Sequence, residues 1–265
     1  MVTVKRNVQS AIRRLHVMRA GSIPNRLAIY FHALPERDWD NFRAGVAHLR
    51  DLGYTFTGPR GVCEPGEDRR VMVSFDDSFQ SWWRALALFE ELRLTVTFYI
   101  NTEPTRDVAD DATIRAYFLR IGKDPDASTS LSSEEIRDLA AAGHRVGAHA
   151  HTHRDLGAIS ESQAHEEITR SRQILEGIIG TPVVDFSYPY GMRRNFSESL
   201  RRYCLSDGFE TVANAIPGLL HAGQEPSAIQ RTGWHLSQPI GHNIDNLRID
   251  GRRFEQLTGR SAAPF

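Results

Sequence analysis

The chain has 265 residues, 40% hydrophobic and 25% charged, with a formal net charge of −1. That is an ordinary globular composition, long enough for one large α/β domain. The near-neutral balance argues against nucleic acid as a partner, and no apolar run reaches the length of a membrane span.

At the N-terminus, Val8, Ile12 and Leu15 recur at helical spacing among Lys5, Arg6, Arg13 and Arg14. This predicts a short basic amphipathic helix over an extension, residues 1–26, packed on the domain or on a partner subunit of a homo-oligomer. It lacks the pattern of a secretory signal, so the cytoplasm is the expected location. The two cysteines, Cys63 and Cys204, read as free thiols of a reducing compartment.

Residues 27–265 read as a single domain. Residues 27–32 predict a strand. A helix follows over 38–52, with Phe42, Val46 and Leu49 on one face and Gly53 as its stop. Residues 57–70 are rich in Gly, Pro and charge and predict a loop. Val71, Met72 and Val73 predict a buried strand, and Phe79, Trp82, Trp83, Leu86 and Phe89 mark the face of the next helix. Residues 95–100 are β-branched and aromatic, hence a further strand. Residues 101–131 are irregular, with a short helix near 111–121, and suit either a substrate-covering loop or a surface excursion. Ser132 with Glu135, and Ser160 with Gln163, are capping-box signatures of two helices that stop at Gly143 and Gly180. Residues 144–149, 183–188, 209–213 and 229–234 predict strands, and 197–207 a helix. Strands alternating with helices predict a parallel sheet with covering helices. No GxGxxG or P-loop follows the early strands, which argues against a dinucleotide or nucleoside triphosphate fold.

Two places carry chemistry. The strand at 71–73 runs into two adjacent carboxylates, Asp76 and Asp77. At the C-terminal end of a strand such a pair can divide labour, one acid holding a metal and the other serving as base, although a helix cap is the plainer use of Asp. Some 70 residues later stand His144, His149, His151 and His153. On a helical turn His149 and His153 share a face; on an extended segment His149, His151 and His153 do, and spacing leaves both open. Two histidines and a carboxylate suit zinc, with cobalt, nickel or iron as alternatives. Three protein ligands leave room for a water of lowered pKa.

These residues resemble a known family. SFDDS (74–78) is similar to the TFDDG motif of the NodB-type polysaccharide deacetylases, carbohydrate esterase family 4. GHRVGAHAHTHRDL (143–156) resembles that family's GHEIGNHTxSHxxL metal motif, and FSYPYG (186–191) its RxPY motif. The likeness spans roughly residues 27–234 and keeps the order of the motifs. It implies an α/β fold, a distorted (β/α) barrel of about seven parallel strands known as the NodB homology domain. The activity implied is that of a metal-dependent hydrolase removing acetyl from an amino sugar or glycan precursor, by cleavage of an amide or an ester. Carried over by position, Asp76 is the base, Asp77, His149 and His153 hold one divalent metal, and the Tyr190 N–H helps hold the oxyanion. The expected cytoplasmic location favours a small substrate, such as a nucleotide-linked, lipid-linked or secondary-metabolite sugar.

Several positions depart from the pattern. Ser78 replaces Gly, Ala150 replaces Ser or Thr, and Ser187 stands where many members carry the arginine that orients the base. Arg231, in QRTGW, is expected to pair with Asp76 instead. The general-acid motif is indistinct: His235 is the late candidate and His32 the early one. His32 could alternatively line a sugar pocket, for which Tyr188 and Trp234 are further candidates. A non-catalytic carbohydrate-binding or scaffold protein on the same fold is the alternative function. A metal-dependent phosphoesterase fits two His and two Asp but not the motif order.

Overall fold

In the computed structural model the described residues are 22–249; the basic helix expected near the N-terminus lies outside them. The strands are β1 (Arg26–Phe31), β2 (Thr55–Thr57), β3 (Arg70–Asp77), β4 (Thr97–Ile100), β5 (Arg145–Ala148), β6 (Asp185–Ser187), β7 (Thr211–Ala213) and β8 (Thr232–Gly233). They pair in parallel in the order β7-β6-β5-β4-β3-β1-β8, with β2 beside the start of β3. The seven strands of that path form the distorted barrel that the sequence implies. Among the described residues its seam shows one bridge, Ala213 to Ile229, in which the Ile229 N–H donates to Val212 O and the Asn214 N–H to Ile229 O, both at 2.9 Å.

The helices are α1 (Trp39–Asp51), α2 (Pro59–Cys63), α3 (Ser81–Arg84), α4 (Leu86–Glu91), α5 (Asp111–Arg120), α6 (Ser133–Ala141), α7 (Glu161–Ile179), α8 (Glu198–Asp207) and α9 (Ile240–Asn246). Both predicted capping boxes form, Ser132 with Glu135 at α6 and Ser160 with Gln163 at α7. Two expectations need correction. The supposed loop at 57–70 contains the end of β2 and all of α2, whose Val62 and Cys63 are buried. The helix expected across Phe79–Phe89 is broken at Ala85 (φ −88°, ψ 8°) into α3 and α4. The α9 turn near the C-terminal end had no recognised signal. Among the described residues no helix is long and apolar enough to cross a membrane.

Period-two alternation sorts each strand into two faces. Leu27, Ile29 and Phe31 of β1, Val71, Val73 and Phe75 of β3, and Phe98 and Ile100 of β4 point outward into the main core beneath the helices. Ala28, Met72, Tyr99 and Ala213 point inward, with Ile229, Val62 and Cys63 completing a separate small cluster. With both faces buried, the strands read as continuous apolar runs. The same alternation places Ser74, Asp76 and Ser187 on the inward face, where polar side chains need partners.

Candidate active site

The site forms at the C-terminal ends of β3, β5 and β6, where parallel α/β sheets collect functional residues. Regular alternation would send Asp76 and Asp77 to opposite faces. It is broken at Asp77, whose φ of 88° is left-handed for a non-glycine residue. Both carboxylates are thereby buried in one centre, with Asp76 4% and Asp77 3% exposed. Because the hand reverses at residue 77, Ser78 can stand where the motif has glycine. Ala150 (φ 61°), His153 (φ 58°) and Tyr190 (φ 63°) are also left-handed. Such strain gathers where surrounding structure over-determines the backbone.

Asp76 is gripped by Arg231. The guanidinium donates from Nη1 to Oδ1 at 2.6 Å and from Nη2 to Oδ2 at 2.7 Å. It also donates to Ser74 Oγ (3.0 Å), Ser187 Oγ (2.6 Å) and Asn214 O (2.8 Å). Its flat faces lie between Tyr30 and Tyr99, 4.9 and 5.0 Å from the ring centroids. A desolvated cation gains about 2 kcal/mol from such a ring. Small Ser187 is what admits the guanidinium at the position where the motif has an arginine of its own. Burial works against the charged form of Asp76, but the Arg231 charge, the nearby imidazoles and the hydrogen bonds outweigh it and hold the carboxyl below its usual range.

Asp77, His149 and His153 converge. One ligand atom from each lies within 4.8 Å of the others, and the Nε2 atoms of His149 and His153 stand 3.9 and 3.4 Å from Asp77 Oδ1. Bonds of about 2.1 Å in a tetrahedron put ligand atoms about 3.4 Å apart, so this nitrogen and oxygen set fits a divalent cation. His149 Nδ1 lies 2.7 Å from Ser187 O, which fixes that nitrogen as donor and leaves Nε2 as the ligating atom. Burial lowers both imidazoles, His153 to about 3 with a further push from His149. Burial, and then the neighbouring Asp76, raise Asp77 to about 7.

The turn that makes His149 and His153 converge is pinned from outside. Asn101, fully buried just past β4, donates from Nδ2 to His149 O and, at 3.1 Å, to Ala150 O, while its Oδ1 accepts from Tyr117 Oη at 2.9 Å. Buried Glu167 on α7 accepts from the Thr152 N–H (2.7 Å) and hydroxyl (2.6 Å). His151 turns away to Thr102 Oγ1 at 2.8 Å, and His144 packs on Phe89 and Phe98. Asn101, Tyr30 and Glu167 were missed in the sequence, as was the place of Tyr99 against Arg231 rather than a sugar. Asn101 could have been found as the polar residue directly after an apolar strand, and the tyrosines by their inward parity.

The remaining sequence candidates separate. Tyr190 lies on the rim, 47% exposed, its ring 4.9 Å from that of His153. Tyr188 stacks on Phe196 at 4.3 Å and, with Arg193, Arg201 and Asn214, lines a cleft of about 360 Å³ near the ends of β6 and β7. His32 is an exposed side chain past β1 whose backbone carbonyl accepts from Trp82 Nε1 at 2.7 Å. The protein around it lowers its imidazole, while Asp76 pulls the other way, so His32 shares the field of the site. His235 does not: burial alone lowers it, and its backbone N–H and carbonyl are tied to Asn243. Trp234, the other candidate for the sugar pocket, packs in the main core. It is 6% exposed in the outer core, against Phe31 and α1, where a Cβ on Gly45 would meet its ring at 3.1 Å.

Comparison with known proteins identifies the family and the fold. A family model described as polysaccharide deacetylase matches residues 64–212, more than half of the chain. YxkH of Bacillus subtilis (strain 168), assigned by name to the polysaccharide deacetylases, is 20% identical over 197 residues, 72% of this chain; the chain spans 62% of that relative's length. The Streptococcus pyogenes deacetylase PplD, solved in complex with acetate, superposes with a TM-score of 0.66 at 16% identity, covering 84% of this chain and 99% of that one. IcaB from Ammonifex degensii gives 0.64 at 18% identity, covering 84% and 97%. Fold, motif order and family model coincide, and the chain belongs to the polysaccharide deacetylase family.

Proposed function

We infer that the chain is a metal-dependent hydrolase that removes an acetyl or related acyl group from an amino sugar or glycan precursor. The observation that carries this reading is the junction of two devices in one buried centre: a carboxylate held charged by Arg231, beside the converging donors Asp77, His149 and His153. A divalent cation held by those three donors, zinc by preference and cobalt, nickel or iron as alternatives, would supply a Lewis acid and lower the pKa of water.

Asp76 is the base. Arg231 keeps it ionised and fixes its plane, leaving its other lone pairs to take the proton of the attacking water. The Tyr190 N–H, at its left-handed turn, donates to the oxyanion that develops on the acyl oxygen. His32, which shares the field of Asp76, takes up a proton from solvent and hands it to the leaving amine while Asp76 returns its own to solvent, so His32 acts as a transient acid rather than a resting imidazolium. Tyr190, exposed on the rim, offers aromatic surface to the sugar, and Tyr188 lines the cleft near the ends of β6 and β7. A buried charge pair costs several kcal/mol of desolvation per ion, about the scale found for buried ions generally, and serves no purpose in a scaffold that only binds carbohydrate.

The test is acetate release from a panel of N- and O-acetylated sugars, with and without chelator. Release is expected, lost on chelation, restored by zinc, reduced in His32→Gln and unchanged in His235→Gln. Release that survives both chelation and Asp76→Asn would overturn the reading.

A further inference from the structure

Strand register builds a second tier onto the grip on Asp76. β1 and β4 flank β3, and the parallel pairing sets Tyr30 beside Ser74 on one side and Tyr99 beside Asp76 on the other. The next strands out place a glycine beside each tyrosine: Gly147 of β5 pairs with Tyr99, and Gly233 of β8 with Tyr30. Neither position would take a side chain freely. A Cβ on Gly147 would meet the Tyr99 ring at 2.7 Å, and one on Gly233 would meet the Tyr30 ring at 3.3 Å. In the room these glycines leave, the two rings close on the fully buried guanidinium of Arg231, whose Cζ lies 4.9 Å from the Tyr30 centroid and 5.0 Å from that of Tyr99.

A guanidinium has five N–H donors in one plane, and here all five are used. Nε serves Asn214 O, Nη1 serves Asp76 Oδ1 and Ser74 Oγ, and Nη2 serves Asp76 Oδ2 and Ser187 Oγ. The edge is full, so only the two faces remain, and the tyrosines cover both. Two of the five acceptors are serine hydroxyls, which can rotate to follow a tilting plane; resistance to tilt falls to the rings. Tyr99 does not serve through its hydroxyl, which is buried with no hydrogen-bond partner among the described residues. We propose that Tyr30 and Tyr99 are positioning residues for the reaction: a clamp on the faces of Arg231 that holds its plane and, through it, the plane of the Asp76 carboxylate. The consequence for turnover rests on the hydrolase reading, whereas the hold on the guanidinium does not.

The test uses the zinc-loaded full chain with isotope-labelled arginine and its Tyr30→Phe, Tyr30→Leu, Tyr99→Phe and Tyr99→Leu variants; Arg231→Lys identifies the Arg231 signals by their loss. In the unsubstituted chain and the Phe variants the Nη–H signals of Arg231 are expected to be resolved and slow to exchange, and in the Leu variants to merge or broaden. Acetate release from the acetylated sugars is measured on the same samples. The Leu variants should lose about tenfold to a hundredfold in kcat with KM and zinc affinity unchanged, and the Phe variants should keep kcat. Phenylalanines carrying successive ring fluorines at either position keep the shape while draining charge from the ring face. With them kcat should fall, and guanidinium exchange quicken, step by step, which decides the matter even where a Leu variant fails to fold. Resolved guanidinium signals in folded Leu variants overturn the proposal, as do an unchanged kcat, an equal loss of zinc affinity, Phe variants as slow as Leu, or a flat fluorine series. If the unsubstituted chain releases no acetate from any sugar, the hydrolase reading falls instead, and the guanidinium signals alone decide the clamp.

Discussion

Asp76 and Asp77 are consecutive in β3 yet lie in the same buried centre, because the backbone at Asp77 turns left-handed at φ 88°. The pair can therefore split its duties. Asp76→Asn is expected to keep cation binding and to lower turnover by about a hundredfold to ten-thousandfold. Asp77→Asn is expected to lose the cation. Elemental analysis and acetate release on the same preparations separate the two outcomes.

Removing Arg231 strands a buried carboxylate. Arg231→Ala should cost about 3–5 kcal/mol in chemical denaturation, the usual penalty for breaking a buried pair. Arg231 holds the Asp76 carboxyl low, so its contribution is present above the ordinary carboxylate range near pH 4 and is lost as pH falls through the depressed value. In Arg231→Lys, which keeps charge but not the two-pronged grip, the acid limb of the turnover profile should move to higher pH. An unchanged profile would exclude Arg231 as the residue that positions the base.

Cation binding should depend on a single proton. Asp77 is raised to about 7 by burial and by Asp76, whereas burial already keeps His149 and His153 neutral. Ligation needs the carboxylate and neutral imidazoles. Affinity should fall by about tenfold per unit of pH below about 7, with about one proton released per cation bound near pH 6. Calorimetry in two buffers of different protonation heat gives that number; two protons would show that a histidine titrates as well.

Asn101 acts at one remove. Asn101→Leu keeps the volume but leaves His149 O and Ala150 O without its amide, and Tyr117 Oη without an acceptor. Each buried orphan costs about 1–3 kcal/mol. Loosening the turn should weaken cation binding by about 10–100-fold, as loss of outer-shell partners commonly does. Denaturation and cation titration read the two effects.

Trp234 should matter to stability alone. Trp234→Ala removes a buried indole from between Phe31 and Gly45 and should cost about 3–5 kcal/mol, whereas the milder Trp234→Phe should leave KM unchanged. A raised KM in Trp234→Phe would return it to the sugar site.

Most of the fold was legible because strands buried on both faces leave apolar runs and helices leave caps: residues 71–75, 97–100, Ser132 and Ser160 all show this. The grouping of Asp77, His149 and His153 was legible through the resemblance, spacing having left His151 open. What escaped was long-range or decided by parity. Nothing local in Asn101 or Glu167 tells which carbonyl or amide each will meet. Around β8, parity separates Arg231, which reaches inward, from Trp234, which lands three positions on and therefore on the outer face. Aromatic content alone cannot make that distinction. His235 lies beyond the strand, where alternation no longer applies.

The grip on Asp76 spans 155 positions of sequence. Asp77, His149 and His153 are all present once the chain has reached residue 153; the guanidinium arrives only with the last strand, across a seam that shows one bridge among the described residues. Assembly therefore has an order. A growing or shortened chain can hold Asp77, His149 and His153 before it has the guanidinium that pairs with Asp76, and on the proposed function turnover would wait until the two ends of the barrel meet.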